Sequence, residues 1–436
     1  MKIVWLINII LPRIADKMSM ECKHVGGGWL TGISNALLET DDIDLYVCSP
    51  RSDIDLSIIQ KVEEHLYCCM FPEQDDHVYD ENLKVEFIDI LQKISPDLVH
   101  AFGTEYPRTL SMSEAADACS VPFVISITGM LTPSAKKYYG SVPEKYYRIN
   151  FVRDILANMT HTSTLGRGKK DFLRRSEFEV KAIKQCKNVI GRTSWDNACT
   201  YLMNPQRKYY KCNESLRDFF YTSKWAYHAC IKHSIMVPQM GYPIKGFEVF
   251  LEGLKIIKKY YPDVRVFIPG WTRFFMADGW KRKLSIWISD YDYYLSKIIS
   301  KYELWENLVF CGPLSEIEMG QRMLASNVFV LPSAIENSPN SMGEAMLMGV
   351  PSVVSGVGGV QDLIADKREG FIYPYNEPYM MAYYVMQIFS DIDMANRISK
   401  AAIKRAEVLY DRKANANNLK SIYLQIKNDE GSSAEV

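Results

Sequence analysis

Short apolar runs alternate with longer amphipathic stretches along the whole chain. Runs rich in Val, Ile, Leu and Phe, three to nine residues long, occur at Ile3–Leu11, Leu45–Cys48, Val85–Ile88, Leu98–Phe102, Phe123–Ile127 and Val189–Gly191. They continue at Ile235–Val237, Val264–Ile268, Leu308–Cys311, Val328–Leu331 and Ser352–Val354. Runs of this length read as buried strands, and the stretches between them read as helices. Strand and helix in alternation predict α/β architecture with parallel sheets. Eleven such strands exceed one comfortable core, so the pattern predicts two Rossmann-like domains. The expected partition is 1–225, 226–405 and a closing helical segment 406–436 that returns to the first domain, with a frayed polar tail. An aromatic-rich helical stretch from Phe219 to Tyr227 marks the boundary, and a long helical pattern covers 392–426.

The most informative run is ENSPNSMGEAMLMGVP, residues 336–351. It follows the Val328 strand and precedes the Ser352 strand, so it reads as strand, loop, short helix, strand. One reading is structural: Ser341 and Glu344 have the spacing of a capping box, Gly349 sits where a left-handed C′ residue would, and Pro351 stops the helix. The other is chemical. A helix start after a strand offers free amides to an anion. Carboxylates there would repel phosphate, but ionised Glu336 and Glu344 accept hydrogen bonds from the hydroxyls of a ribose or a sugar. Amides for phosphate and carboxylates for hydroxyls describe a nucleotide-sugar site.

Two further loops repeat the strand–glycine–helix theme. Lys245 in Gly241-Tyr-Pro-Ile-Lys-Gly246 is placed to neutralise phosphate, against the alternative of a surface lysine, and Val357-Gly-Gly359 follows the Ser352 strand. Ligands of open parallel sheets sit outside the strands' carboxyl ends, where these loops would meet. Gly26-Gly-Gly28 opens a helix in the first half, either as a backbone contact to phosphate or as a connector. It is not the dinucleotide fingerprint, because the glycines lie well beyond strand one and lack the GxGxxG spacing. That disfavours an NAD-dependent oxidoreductase.

The chain has 436 residues, 47% hydrophobic and 24% charged, with net charge -1. No global field recruits nucleic acid. Ten scattered cysteines, including adjacent Cys68-Cys69, fit neither a zinc finger nor a disulfide framework and read as thiols of a reducing cytosol. No apolar run is long enough to cross a bilayer. Asp-x-Asp pairs at 42/44, 53/55, 290/292 and 391/393 read as solvated surface, and no His cluster calls for zinc, so no metal is expected. Residues 136–187 are rich in Lys and Arg with interleaved aromatics. They read either as a solvated helix face or as a peripheral contact with anionic lipid or an acceptor pyrophosphate.

Glu336, seven residues, then Glu344 with the following Ala-Met-x-x-Gly-Val-Pro and Gly358-Gly359 resembles the retaining glycosyltransferases of family 4, of GT-B fold. The likeness is strongest from Ser234 to Pro374 and includes Lys245-Gly246, Phe310-Cys-Gly-Pro-Leu314 and Pro332-Ser333. In the first half it rests on Gly26–Gly28 and the Leu98–Gly103 strand end. The resemblance implies two Rossmann-like domains facing across a cleft, a nucleotide-sugar donor in the second and an acceptor in the first. It implies Glu336 and Lys245 as catalytic residues, and Arg192 joins them from its position at the end of the Val189 strand. Glu344, Asn340, Ser341, Gly27, Gly28, Gly312 and Leu314 would bind the donor, and His100 and Gly129 the acceptor. The family Arg before the loop lysine is missing from Val237-Pro-Gln-Met-Gly-Tyr, which is why Arg192 enters as its substitute. No cofactor is implied, since the nucleotide sugar is a substrate. The expected protein is a cytoplasmic transferase, at most peripheral at the inner membrane face, acting on a glycan or lipid-linked acceptor in cell-surface polysaccharide synthesis. The alternative is a nucleotide-binding module of the same fold without catalysis.

Overall fold

A computed structural model describes residues 1–20, 28–39, 42–148 and 151–433. The chain divides into two compact units. The first comprises Met1–Pro133, Leu173–Arg217 and Leu409–Val436, and the second Ser134–Phe172 and Asp218–Val408. Residues 134–172, which the linear partition assigned to the first block, group with the second unit. Within that unit Ser141 N donates to Glu248 Oε1 at 2.9 Å, and Leu165 N donates to Asp290 Oδ2 at 3.0 Å.

The first unit holds an eight-stranded sheet: β1 (Lys2–Leu6), β2 (Asp44–Arg51), β3 (Ile58–Glu63), β4 (Leu66–Pro72), β5 (Leu98–Phe102), β6 (Phe123–Ser126), β7 (Asn188–Gly191) and β8 (Lys208–Lys211). Their order is β3-β4-β2-β1-β5-β6-β7-β8, parallel throughout except for the antiparallel β3–β4 pair. Strand β1 is apolar and buried from Ile3 onward, as a strand covered on both faces must be. It ends at Leu6, earlier than the apolar run suggests, and residues 7–11 lead into the helix Pro12–Lys17. Cys68 and Cys69 lie side by side on β4, and successive residues of a strand face opposite ways. Cys68 joins the core around Trp5 and Cys69 the one around Phe87. Among the described residues the cysteines are free thiols.

The second unit holds six parallel strands: β9 (Ser234–Met236), β10 (Arg265–Pro269), β11 (Leu308–Gly312), β12 (Val328–Leu331), β13 (Ser352–Ser355) and β14 (Phe371–Tyr373), in the order β11-β10-β9-β12-β13-β14. Strand β9 is therefore flanked by β10 and β12, and the loops after β9, β12 and β13 emerge at one edge of one sheet.

Three expectations about elements need correction. Val85–Ile88 is not a strand: it lies in the helix Glu81–Ile94, which Asp80 caps and which buries Leu83, Phe87, Ile90, Leu91 and Ile94 at helical spacing. The pattern over 392–426 is two helices, Ile392–Leu409 and Arg412–Ser433, the second restarted by Asp411, whose carboxylate accepts from Ala414 N at 2.9 Å. The aromatic stretch at 219–227 is only one helical turn, Phe219–Thr222, followed by a 3-10 turn at Tyr227–Ala229. Among the described residues no helix is long and apolar enough to cross a membrane.

Candidate functional site

In the second unit three loops converge on Glu336. After β9 the chain makes a 3-10 turn, Pro243–Lys245, and passes through Gly246 at φ +66° into the helix Phe247–Tyr260. A side chain at Gly246 would collide with the carbonyl oxygen of Pro332, at the end of β12. That close approach requires glycine and sets Lys245 beside the β12 loop. Ala334 N donates to Ile244 O at 2.7 Å, and Ser355 Oγ, from the end of β13, donates to Ser333 O at 2.6 Å. Gly359 N donates to Glu336 O at 3.0 Å, and a Cβ on Gly358 would collide with that same carbonyl. The backbone of Glu336 is thus pinned by the glycine pair that the sequence singled out.

Its side chain meets Lys245. Lys245 Nζ lies 2.8 Å from Glu336 Oε1, which also accepts from Ser333 Oγ at 2.7 Å. The two side chains keep 17% and 13% of their surface exposed. Burial works against the lysine's charge, but Glu336 and Tyr242 beside it prevail and hold it above the usual lysine range. The ammonium also lies 5.8 Å from the centre of the Tyr242 ring. An ammonium has three donors, so Lys245 can exchange Glu336 for a more negative partner without being stripped of charge.

The helix Asn340–Met348 starts next to this pair. Met342, Ala345, Met346, Leu347 and Met348 are buried, and Gly349 at φ +79° ends it, as the sequence implied. The capping box does not form. Pro339 occupies the N-cap and supplies no side-chain bond, while Ser341 is already the second helical residue. Amides at Asn340 and Ser341 precede the first intrahelical carbonyl, and the first bonds of the turn are Met342 N and Gly343 N to Pro339 O. Asn340 Oδ1 is buried with no hydrogen-bond partner among the described residues. Glu344 is buried one turn in. Gly312, φ +70°, closes β11, and the half-exposed Phe275 ring lies against it where a Cβ would go. Leu314 follows, half-buried. Sequence reasoning missed Phe275. The signal was the Thr272-Arg-Phe-Phe run after β10, where Phe274 packs inward on Phe310 and leaves its neighbour outside.

The candidates of the first unit stand differently. Arg192 is 5% exposed. Its guanidinium pairs with Glu214 at 2.5 Å and donates to the carbonyls of Ile127 and Thr128 at 2.8 and 3.0 Å. These three contacts anchor Arg192 inside the first unit. His100 is fully buried, with Nδ1 2.6 Å from Tyr423 Oη and Nε2 2.7 Å from Ser126 Oγ. Burial pushes its pKa down to about 3, so the ring is neutral. A direct acceptor contact is not met by a ring with no exposed surface. The cavity it lines with Trp29, Ser126, Arg192 and Glu214 is ≈ 20 Å³, room for about one water and no sugar. Gly129 faces the Glu105 carboxylate, which accepts from Thr128 Oγ1 at 2.7 Å and which burial lifts above the usual range. Gly28 opens the helix Gly28–Leu38 with the Arg217 side chain packed over it. Gly27 lies outside the described residues.

The Asp290/Asp292 pair is a further correction, since both residues are buried. Asp290 Oδ1 pairs with Arg153 at 3.0 Å and Asp292 with Arg273 at 2.8 Å, so they are internal anchors and not solvated surface. Among the described residues no group of three or more His, Cys, Asp and Glu is placed to hold a metal ion.

Residues 232–405, which contain every part of the Lys245–Glu336 arrangement, match the family model described as glycosyl transferases group 1. Over that span the chain is similar to the group 1 glycosyltransferases. A putative glycosyltransferase of Bacillus subtilis, YtcC, is 21% identical over 80% of this chain and 78% of its own. Sucrose-phosphate synthase from Thermosynechococcus elongatus superposes with a TM-score of 0.66 at 15% identity, covering 98% of each chain. Anabaena HepE, solved in complex with UDP and glucose, gives 0.66 at 16%, covering 97% of this chain and 99% of that one. At such identities the structures speak for the fold, which is GT-B with its two parallel-sheet units. The glycosyltransferase assignment rests on the family match to the second unit's loops.

Proposed function

We propose that this glycosyltransferase moves a sugar from a UDP-sugar to a hydroxyl of a glycan or lipid-linked acceptor, with retention of anomeric configuration and without a metal. The observation that carries the reading is the half-buried Lys245–Glu336 pair, held beside the open amides of a helix start. As the sugar bond breaks, the diphosphate gains negative charge, and a cation fixed there acts mainly on the transition state. Lys245 supplies that cation. Amides of Asn340 and Ser341 hold the diphosphate, Glu336 accepts from sugar hydroxyls, and Glu344 accepts from the ribose. Gly312, Leu314 and Phe275 flank the base. UDP is favoured over GDP because a neighbour of this fold is described with UDP and glucose. Gly27, Gly28 and Gly129 remain the first unit's candidates for donor and acceptor contact. Cell-surface polysaccharide synthesis from the cytoplasmic side, with peripheral membrane contact through residues 136–187, suits a lipid-linked acceptor.

The test is a panel of UDP- and GDP-sugars assayed for turnover in EDTA, with product configuration read by proton NMR. Turnover of a UDP-sugar in chelator, with the anomeric coupling retained, is the expected result. An absolute need for added Mg²⁺ or Mn²⁺ would remove the metal-free assignment. UDP binding without turnover of any donor would favour the non-catalytic module.

A further inference from the structure

We propose that the helices Phe151–Met159 and Trp280–Ile288 of the second unit form a surface that docks on an anionic lipid bilayer. This deepens the membrane contact named above and rests on it. It also moves the contact away from the basic stretch as a whole and adds a helix that sequence reasoning did not single out.

The first helix is amphipathic with its burial inverted. Arg153 is buried, donating to Asp290 and lying 5.5 Å from the Trp287 ring and 4.8 Å from the Tyr293 ring. Val152, Ile155 and Met159 are exposed, Met159 at 73%. Spaced three and four residues apart, they form one stripe. A buried arginine beneath an exposed apolar stripe is informative where a lone exposed leucine would not be. The Arg153–Trp287 contact joins the helix to Trp280–Ile288, which repeats the theme. Trp280 at 70% and Leu284 are exposed one turn apart, with exposed Lys281 and Lys283 between them on either side.

Charge decides the occupant. Besides the buried Arg153, residues 134–172 carry seven Lys and Arg against three Asp and Glu, and Trp280–Ile288 carries three basic residues and no acid. Tryptophan and leucine flanked by lysine suit an interface of acyl chain and anionic head group.

The test is cosedimentation of the full chain with vesicles of phosphatidylglycerol and phosphatidylcholine, against phosphatidylcholine alone. Binding is expected on the anionic vesicles and should fade as salt rises. Lys281→Ala with Lys283→Ala should weaken it on the order of thirtyfold. Trp280→Ser with Leu284→Ser should weaken it as well, with stabilisation by UDP unchanged in both variants. Because the lysines are exposed, their variant keeps the test decisive if the apolar one fails to fold. Absence of anionic-vesicle binding, equal binding by the lysine variant, or self-association in place of vesicle binding would each overturn the proposal. Intact donor turnover in the same samples would then show that only the surface has failed.

Discussion

Lys245 and Arg192 were both candidates for the cation that meets the leaving diphosphate, and the contrast between them separates a working site from a scaffold. Arg192 spends its guanidinium on Glu214 and two carbonyls and keeps 5% of its surface. Lys245 has one carboxylate partner among the described residues, at 2.8 Å, and three times that exposure, 17%. The same contrast holds for the carboxylates around them. Glu179 of the first unit accepts from Leu131 N, Thr132 N, Thr132 Oγ1 and Thr104 Oγ1 at 2.6–2.8 Å, a saturated cap. Glu336 accepts from a lysine and a serine. A site that must change partners during a reaction is built from groups whose bonds can be exchanged. A scaffold is built from groups whose bonds cannot.

The largest effect expected from this comparison is on stability. Arg192→Ala removes the guanidinium that pairs with the buried Glu214 and should cost about 3–5 kcal/mol in urea unfolding. Turnover per folded molecule should stay near wild type, and a large drop in kcat would return Arg192 to the reaction. Lys245→Ala should do the opposite. A loss of about a hundred- to a thousandfold in kcat is expected with a smaller change in donor KM, measured by steady-state kinetics with the melting temperature as control. Near wild-type kcat would reduce the loop to a helix entry. Glu344→Gln comes next, weakening UDP binding by about tenfold as one charge-assisted hydrogen bond is lost, read by calorimetry. Unchanged affinity would leave Glu344 a purely internal group.

The last effect is absent at neutral pH and concerns His100. Its folded pKa of about 3 lies below the usual 6.5, so below 6.5 the unfolded chain binds the proton that the folded one refuses. Its neutral burial therefore costs nothing above pH 6.5. Stability falls by roughly 1.4 kcal/mol per pH unit on acidification from there toward 3. Unfolding of His100→Asn should show a shallower acid slope than the native chain. Identical slopes would mean that other groups carry the acid sensitivity.

Much of the second unit was legible because its signals are local. A buried parallel strand is a short apolar run, and a loop that needs glycine carries glycine. Gly246, Gly349 and Gly358 all adopt positive φ where the sequence placed turns. What was hidden depends on partners far along the chain. Val85–Ile88 looks the same as a strand until the buried positions on either side reveal a helix. Asp290 and Asp292 look like surface until Arg153 and Arg273 arrive. The capping box looked complete, yet the backbone starts its helix two residues sooner, at Asn340. Strands β3, β4, β8 and β14 were missed. Two of these, β3 and β8, are sheet edges with polar, partly exposed faces, and carry little apolar signal.

The account stands most directly on where the donor's diphosphate sits, and a crystal structure of the chain with UDP measures that. The expected complex has the diphosphate over the amides of Asn340 and Ser341, with Lys245 Nζ released from Glu336 and within hydrogen-bonding distance of a phosphate oxygen. A diphosphate bound elsewhere, or one bound there while Lys245 stays on Glu336, would contradict it.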